Sequence, residues 1–192
     1  FTIKNGYGSA TNEMPVFNLQ SSSAVIRNCI FYNNTGNRGI VFDIENGSPQ
    51  VIFNTFVGNK LTSQTPAGGA VIYHAGDGNL ILSNNIFWGN RANVSQDQDQ
   101  YRHNLSWHDA QNFMLITDYN NIEFMDHYMD TWAGPNSYNM DPGFVNPASN
   151  FKLAGASPLI GLGTSIFDGI AGPKFDMLNA KRPNPAGSNP DL

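Results

Sequence analysis

At 192 residues the chain is long enough for one domain with a continuous core. A formal charge of −5, with only ten Lys plus Arg, excludes the electrostatic footprint of a nucleic-acid or anionic-membrane binder. A single cysteine, Cys29, excludes a disulfide scaffold within the chain, 12% aromatic residues exclude disorder, and no apolar run is long enough for a transmembrane helix.

In chain order, the first signal is the apolar pair Val25-Ile26 followed by Cys29-Ile30-Phe31-Tyr32-Asn33-Asn34. The same order returns as Val51-Ile52-Phe53 before Asn54-Thr55-Phe56-Val57-Gly58-Asn59, and as Leu80-Ile81-Leu82 before Asn85-Ile86-Phe87-Trp88-Gly89-Asn90. Phe31, Phe56 and Phe87 coincide, as do Asn34, Asn59 and Asn90; Asn104-Leu105-Ser106-Trp107-His108-Asp109 is a weaker fourth match. A second strand-like run lies between the cores, at Gly39-Ile40-Val41-Phe42 and Gly69-Ala70-Val71-Ile72-Tyr73. Two or three short strands per repeat, with no helical period between them, predict an all-β chain built as a solenoid. One coil cannot bury its own apolar face, so the three Phe are expected to stack, each contributing roughly 1.5–3 kcal/mol.

The repeated Asn suits a corner, where its amide can bond the equivalent Asn above and below. Phe53 stands where Asn28 and Asn84 stand, which leaves open which Asn forms such a ladder. The reading is of a single domain over 1–192, the C-terminal part of a longer chain. Residues 1–90 form regular coils, 91–140 an irregular excursion, and 141–192 a Pro- and Gly-rich tail capping the last coil. Pro142, Pro147 and Pro158 cannot donate ladder hydrogen bonds, so the tail is not expected to extend the stack.

The tail carries a resemblance. Asp141-Pro142-Gly143-Phe144-Val145-Asn146-Pro147-Ala148, Asn150-Phe151-Lys152-Leu153, Gly155-Ala156-Ser157-Pro158-Leu159-Ile160-Gly161, Lys181-Arg182-Pro183 and Gly187-Ser188-Asn189-Pro190-Asp191-Leu192 follow one another at family-like spacing. Together they are similar to the ending of bacterial right-handed parallel β-helix repeat proteins, in particular choice-of-anchor Q domain-containing proteins. The resemblance implies a pectate-lyase-like fold, and Phe144, Phe151, Leu153 and Ile160 as plugs of the last coil. It further implies a Bacteroidetes-like source, a secreted or outer-membrane-associated location at the cell surface, and a sorting or anchoring region beyond Leu192. It carries no catalytic set, because the motif is structural, and members include presumed adhesins, surface proteins and polysaccharide-degrading enzymes, so the fold does not decide function.

Candidate chemistry is sparse. A polysaccharide lyase would need acids in register beside a base; Arg27, Arg38, Lys60, Arg91 and Arg102 are the bases, and Asp43 and Asp77 the acids that equivalent strand ends might align. A glycoside hydrolase would need paired carboxylates, for which Asp118, Glu123, Asp126 and Asp130 are candidates. His103, His108 and His127 with Asp109 and Asp126 show no zinc spacing, and Asp97 and Asp99 lack the Gly and Glu of an EF-hand, so no cofactor is expected beyond a possible calcium ion. Tyr101, Trp107, Tyr119, Tyr128, Trp132 and Tyr138 cluster in the excursion. Of these, Trp107, Trp132, Tyr101 and Tyr128 are the expected ligand-binding residues, since Trp and Tyr offer flat apolar faces with a polar edge. The expected function is a non-catalytic cell-surface or secreted β-helix presenting a surface to extracellular polysaccharide or a partner surface protein. The alternative is the C-terminal part of a polysaccharide lyase or glycoside hydrolase.

Overall fold

The computed structural model describes residues 1–8, 15–36, 39–61, 71–92, 104–108, 111–123, 132–183 and 185–192, among which there is no helix. The chain opens with β1 (Thr2–Lys4), β2 (Phe17–Gln20) and β3 (Val25–Arg27). It continues through β4 (Ile30–Tyr32), β5 (Thr35–Gly36), β6 (Phe42–Glu45) and β7 (Gln50–Ile52). The same order recurs in β8 (Thr55–Val57), β9 (Lys60–Leu61), β10 (Ile72–Ala75) and β11 (Gly78–Ser83). It recurs again in β12 (Ile86–Trp88), β13 (Arg91–Ala92), β14 (Leu105–His108) and β15 (Phe113–Asp118), and ends at β16 (Asn121–Ile122).

These strands form four parallel sheets: A (β1-β4-β8-β12-β16), B (β5-β9-β13), C (β2-β6-β10-β14) and D (β3-β7-β11-β15). The chain visits A, B, C and D in turn and returns to A beside its previous strand. A repeat thus holds four short strands, where the sequence signalled two or three. The two-residue strands of sheet B are too short to show any periodicity.

The corners explain the richness in Asn and Gly. Between D and A stand Asn28, Phe53, Asn84 and Tyr119 at φ of 54 to 56°; between A and B stand Asn33, Gly58 and Gly89 at 53 to 67°. Left-handed backbone is open to Gly and tolerable for Asn, and is strained for Phe53 and Tyr119. Apart from Cys29 after Asn28, the residue after each left-handed one is an Asn that builds the ladder. Asn34 Nδ2 donates to Asn59 Oδ1 at 2.9 Å, and Asn59 Nδ2 to Asn90 Oδ1 at 3.0 Å. At the D–A corner Asn54 Nδ2 donates to Asn85 Oδ1 at 3.3 Å, and Asn85 Nδ2 to Asn120 Oδ1 at 3.0 Å. Two buried Asn ladders therefore run through the stack, and Asn28 and Asn84 belong to neither.

Inside, Phe31 stacks on Phe56 at 5.1 Å between centroids and Phe56 on Phe87 at 4.6 Å, with planes 12° and 4° apart. Ile3 and Ile122 hold the same column at either end.

One expectation about organisation changes. The stretch 91–140 is not an excursion throughout, because β13 to β16 are in register with the preceding circuit. Trp132 and Ala133 join the core, and Tyr138 bridges Asn121 in parallel. The tail does not extend the parallel stack. It forms two antiparallel pairs, β17 (Phe144–Asn146) with β18 (Asn150–Leu153) and β19 (Ile166–Phe167) with β20 (Ile170–Ala171). Phe144, Phe151, Leu159 and Leu192 bury themselves on the outward side of sheet A, against Val57 and Ile86. Ile160 is 44% exposed and is not part of that buried cluster. The physical reason lies in sheet A, whose strands carry Ile30, Tyr32, Val57, Ile86 and Trp88 outward as well as Phe inward. A sheet apolar on both faces needs cover on both.

Candidate functional site

Parallel register fixes what sheet A presents outward: Thr2, Ile30, Thr55 and Ile86 in one column, Lys4, Tyr32, Val57 and Trp88 in the next. The tail is laid over these columns and tied to the D–A corner. Arg182 donates to Asn28 Oδ1 at 2.7 Å, with its guanidinium carbon 4.6 Å from the Phe53 ring centroid. Asn28 Nδ2 donates to the Phe175 carbonyl at 2.8 Å, and the Thr164 amide to Asn84 Oδ1 at 2.7 Å. The corner side chains outside the ladders are therefore the tail's anchors. At Gly172 a Cβ would lie 2.6 Å from the Phe53 ring, so the tail approaches there as glycine only.

Between the tail and sheet A lies a groove of about 650 Å³. Ile30, Tyr32, Phe151, Leu153, Met177 and Leu178 give it apolar surface, and the tilted Tyr32 and Phe151 rings meet at 4.8 Å. Lys4, Lys152, Lys181 and Arg182 line it with positive charge; Asp176 and Asp191 are its carboxylates. Both carboxylates are engaged by backbone: Asp176 Oδ1 accepts from Leu178 and Ala180 at 2.8 Å, and Asp191 Oδ1 from Gly161 at 2.9 Å. Burial pulls the Arg182 guanidinium below its usual range, partly offset by the fields of Asp176 and Asp191. Lys4, Lys152 and Lys181 are exposed and make no ion pair among the described residues.

The aromatic residues expected to bind ligand part company. Trp107 is 45% exposed at the end of sheet C, tilted against Phe113 at 5.9 Å between centroids. Trp132 is only 7% exposed, meets Phe87 edge-on at 6.3 Å and packs with the core. Tyr101 and Tyr128 lie outside the described residues, as do Arg38, Arg102, Asp97, Asp99, His103, Asp109, Asp126, His127, Asp130 and the side chain of His108.

The candidate acids have structural work. Asp118 accepts from the Asn136 amide and Nδ2 at 2.7 Å each and from the Tyr119 amide at 2.9 Å. Glu123 takes both guanidinium nitrogens of Arg91 at 2.8 and 2.9 Å, and the Gly89 amide. Asp43 and Asp77 do not align, since Asp43 is in register with Tyr73, whereas Asp77 follows β10 and binds Asn112 Nδ2 at 3.0 Å. Among the described residues, no three His, Cys, Asp or Glu side chains converge where they could hold a metal ion.

His74 is fully buried. Its Nε2 lies 3.4 Å from the Gly47 carbonyl, its ring centroid 4.4 Å from that of Phe113, and its Nδ1 has no hydrogen-bond partner among the described residues. Burial lowers its pKa, with the Gly47 bond opposing.

No family model, curated protein or solved structure matches the chain. Among the described residues no helix is long and apolar enough to cross a membrane.

The groove was not visible in the sequence because its residues lie far apart in the chain. The nearest signal was the alternation Asn150-Phe151-Lys152-Leu153, which places Lys152 opposite the buried Phe151, together with apolar residues flanking each stacked Phe.

Proposed function

We propose that the chain is a right-handed parallel β-helix of a secreted or cell-surface protein, acting as a non-catalytic binding module for a partner surface protein. The observation that carries this reading is the groove of about 650 Å³ between tail and sheet A, apolar within and lined by three lysines without acidic partners among the described residues. Pockets that hold a partner segment are concave and mostly apolar, with a few polar groups to orient it. The right hand follows from the strong preference of parallel crossover connections, and the tail motif adds the family resemblance. A non-catalytic role fits Asp118 and Glu123, whose oxygens already hold turns and Arg91.

A second reading, an extracellular glycan stacked on Trp107, is favoured by that ring's exposure at the stack's end. Parallel peptide and glycan arrays probed with the wild type, Lys152→Glu and Trp107→Ala decide between them. The groove reading expects ligand signals that fall in Lys152→Glu and persist in Trp107→Ala. The opposite pattern moves the site to Trp107, and shortened polysaccharide products would overturn the non-catalytic role.

A further inference from the structure

We infer that the groove takes an extended acidic peptide, added as a third strand along the free edge of β18; the inference rests on the binding-module reading above. β18 pairs with β17 alone, so its far edge carries no third strand among the described residues. The groove runs beside every residue of β18, from Asn150 to Leu153. A strand edge beside an apolar groove supports β-augmentation: main-chain hydrogen bonds hold the guest, and alternate side chains are sorted by what they meet.

The two faces of β18 differ in the way such sorting needs. Phe151 is buried and Leu153 partly so, while Asn150 and Lys152 are exposed. An added strand in register would direct one set of its side chains toward Ile30, Tyr32, Met177 and Leu178, and the other toward Lys152. Charge decides the second set. The groove is lined by four cations and two carboxylates, and both carboxylates already accept backbone N–H groups, although the chain as a whole carries −5. An acidic residue at alternate positions meets Lys152, with Lys4 and Lys181 nearby; a basic one is repelled. A volume of about 650 Å³ suits a segment about as long as an ordinary strand. An acidic glycan shares the charge but has no main chain to pair with the β18 edge.

The test uses the full chain and a fluorescent peptide of about six residues alternating Glu with Val, titrated by anisotropy. Lys152→Glu and Lys181→Glu, both at exposed positions, are checked for an unchanged circular-dichroism spectrum. Each should weaken the peptide about tenfold, as like charges placed opposite each other do, and each should gain affinity for the Lys–Val counterpart. Methylating alternate backbone amides of the Glu–Val peptide should abolish binding. Equal affinity for the methylated peptide overturns strand addition, and equal affinity for the Glu–Val and Lys–Val peptides overturns the acidic preference. If polygalacturonate binds in a Lys152-dependent way and the peptide does not, the inference fails while the groove remains a binding site. If every ligand depends on Trp107 alone, the binding-module reading of the groove fails with it.

Discussion

Replacing Asn59 by Ala tests the ladder at its centre. Asn59 is fully buried, and its amide makes four hydrogen bonds. Oδ1 accepts the Asn34 amide at 3.1 Å and Asn34 Nδ2 at 2.9 Å; Nδ2 donates to Asn90 Oδ1 at 3.0 Å and to the Phe31 carbonyl at 3.0 Å. After the substitution Asn34 Nδ2 keeps the Ile3 carbonyl, and Asn90 Oδ1 keeps the Asn59 amide. The Asn34 amide and the side-chain bond to the Phe31 carbonyl are not replaced. Each buried polar group so deprived costs about 1–3 kcal/mol, which puts Asn59→Ala near 2–6 kcal/mol. Asn18→Ala, at an exposed outward position, should stay within about 0.5 kcal/mol. Urea unfolding followed by tryptophan fluorescence reads both as shifts of midpoint at constant slope. A loss below about 1 kcal/mol for Asn59→Ala would refute the claim that the ladder's buried amides depend on one another.

Phe56, sandwiched between Phe31 and Phe87 and fully buried, should cost about 3–5 kcal/mol when cut to Ala, measured by the same unfolding curve. Trp132→Ala should destabilise by a similar amount and Trp107→Ala by much less, because only Trp132 lies in the core; calorimetric melting of the two variants checks this. His74 has a pKa lowered on folding, so the unfolded chain binds its proton at higher pH. Its contribution is complete above the unfolded value of about 6.5 and declines as pH falls below it, so the urea midpoint should drop between neutral and mildly acid pH. His74→Phe should flatten that dependence, and an unchanged slope would contradict the buried, neutral His.

Much of the stack was legible because its signal is local and repeated. Each Phe sits three residues before an Asn, and most corners with positive φ hold Asn or Gly. Phe53 broke the pattern for a reason the sequence could not show. It holds a strained corner while its ring takes Arg182 from the tail, more than a hundred residues away. Sheet B was missed since two residues make no period, and β14 to β16 were obscured by the length and composition of the segments between them. The tail was recognised as distinct from the stack, but its resting place depends on which outward positions remain apolar. That is a property of the assembled sheet. Trp132 and Trp107 looked alike in sequence, and only the edge-on contact with Phe87 in the assembled core separates the buried ring from the exposed one.

The central claim is that residues one circuit apart lie directly on one another. Nuclear Overhauser contacts between aromatic ring protons, in protein labelled only at Phe, test it most directly. Contacts should appear between Phe31 and Phe56 and between Phe56 and Phe87, whose centroids are 5.1 and 4.6 Å apart. No direct contact should join Phe31 to Phe87, because Phe56 stands between them. A spectrum lacking the first two contacts, or pairing Phe31 with Phe87 alone, would contradict the stacked parallel arrangement and everything built on it.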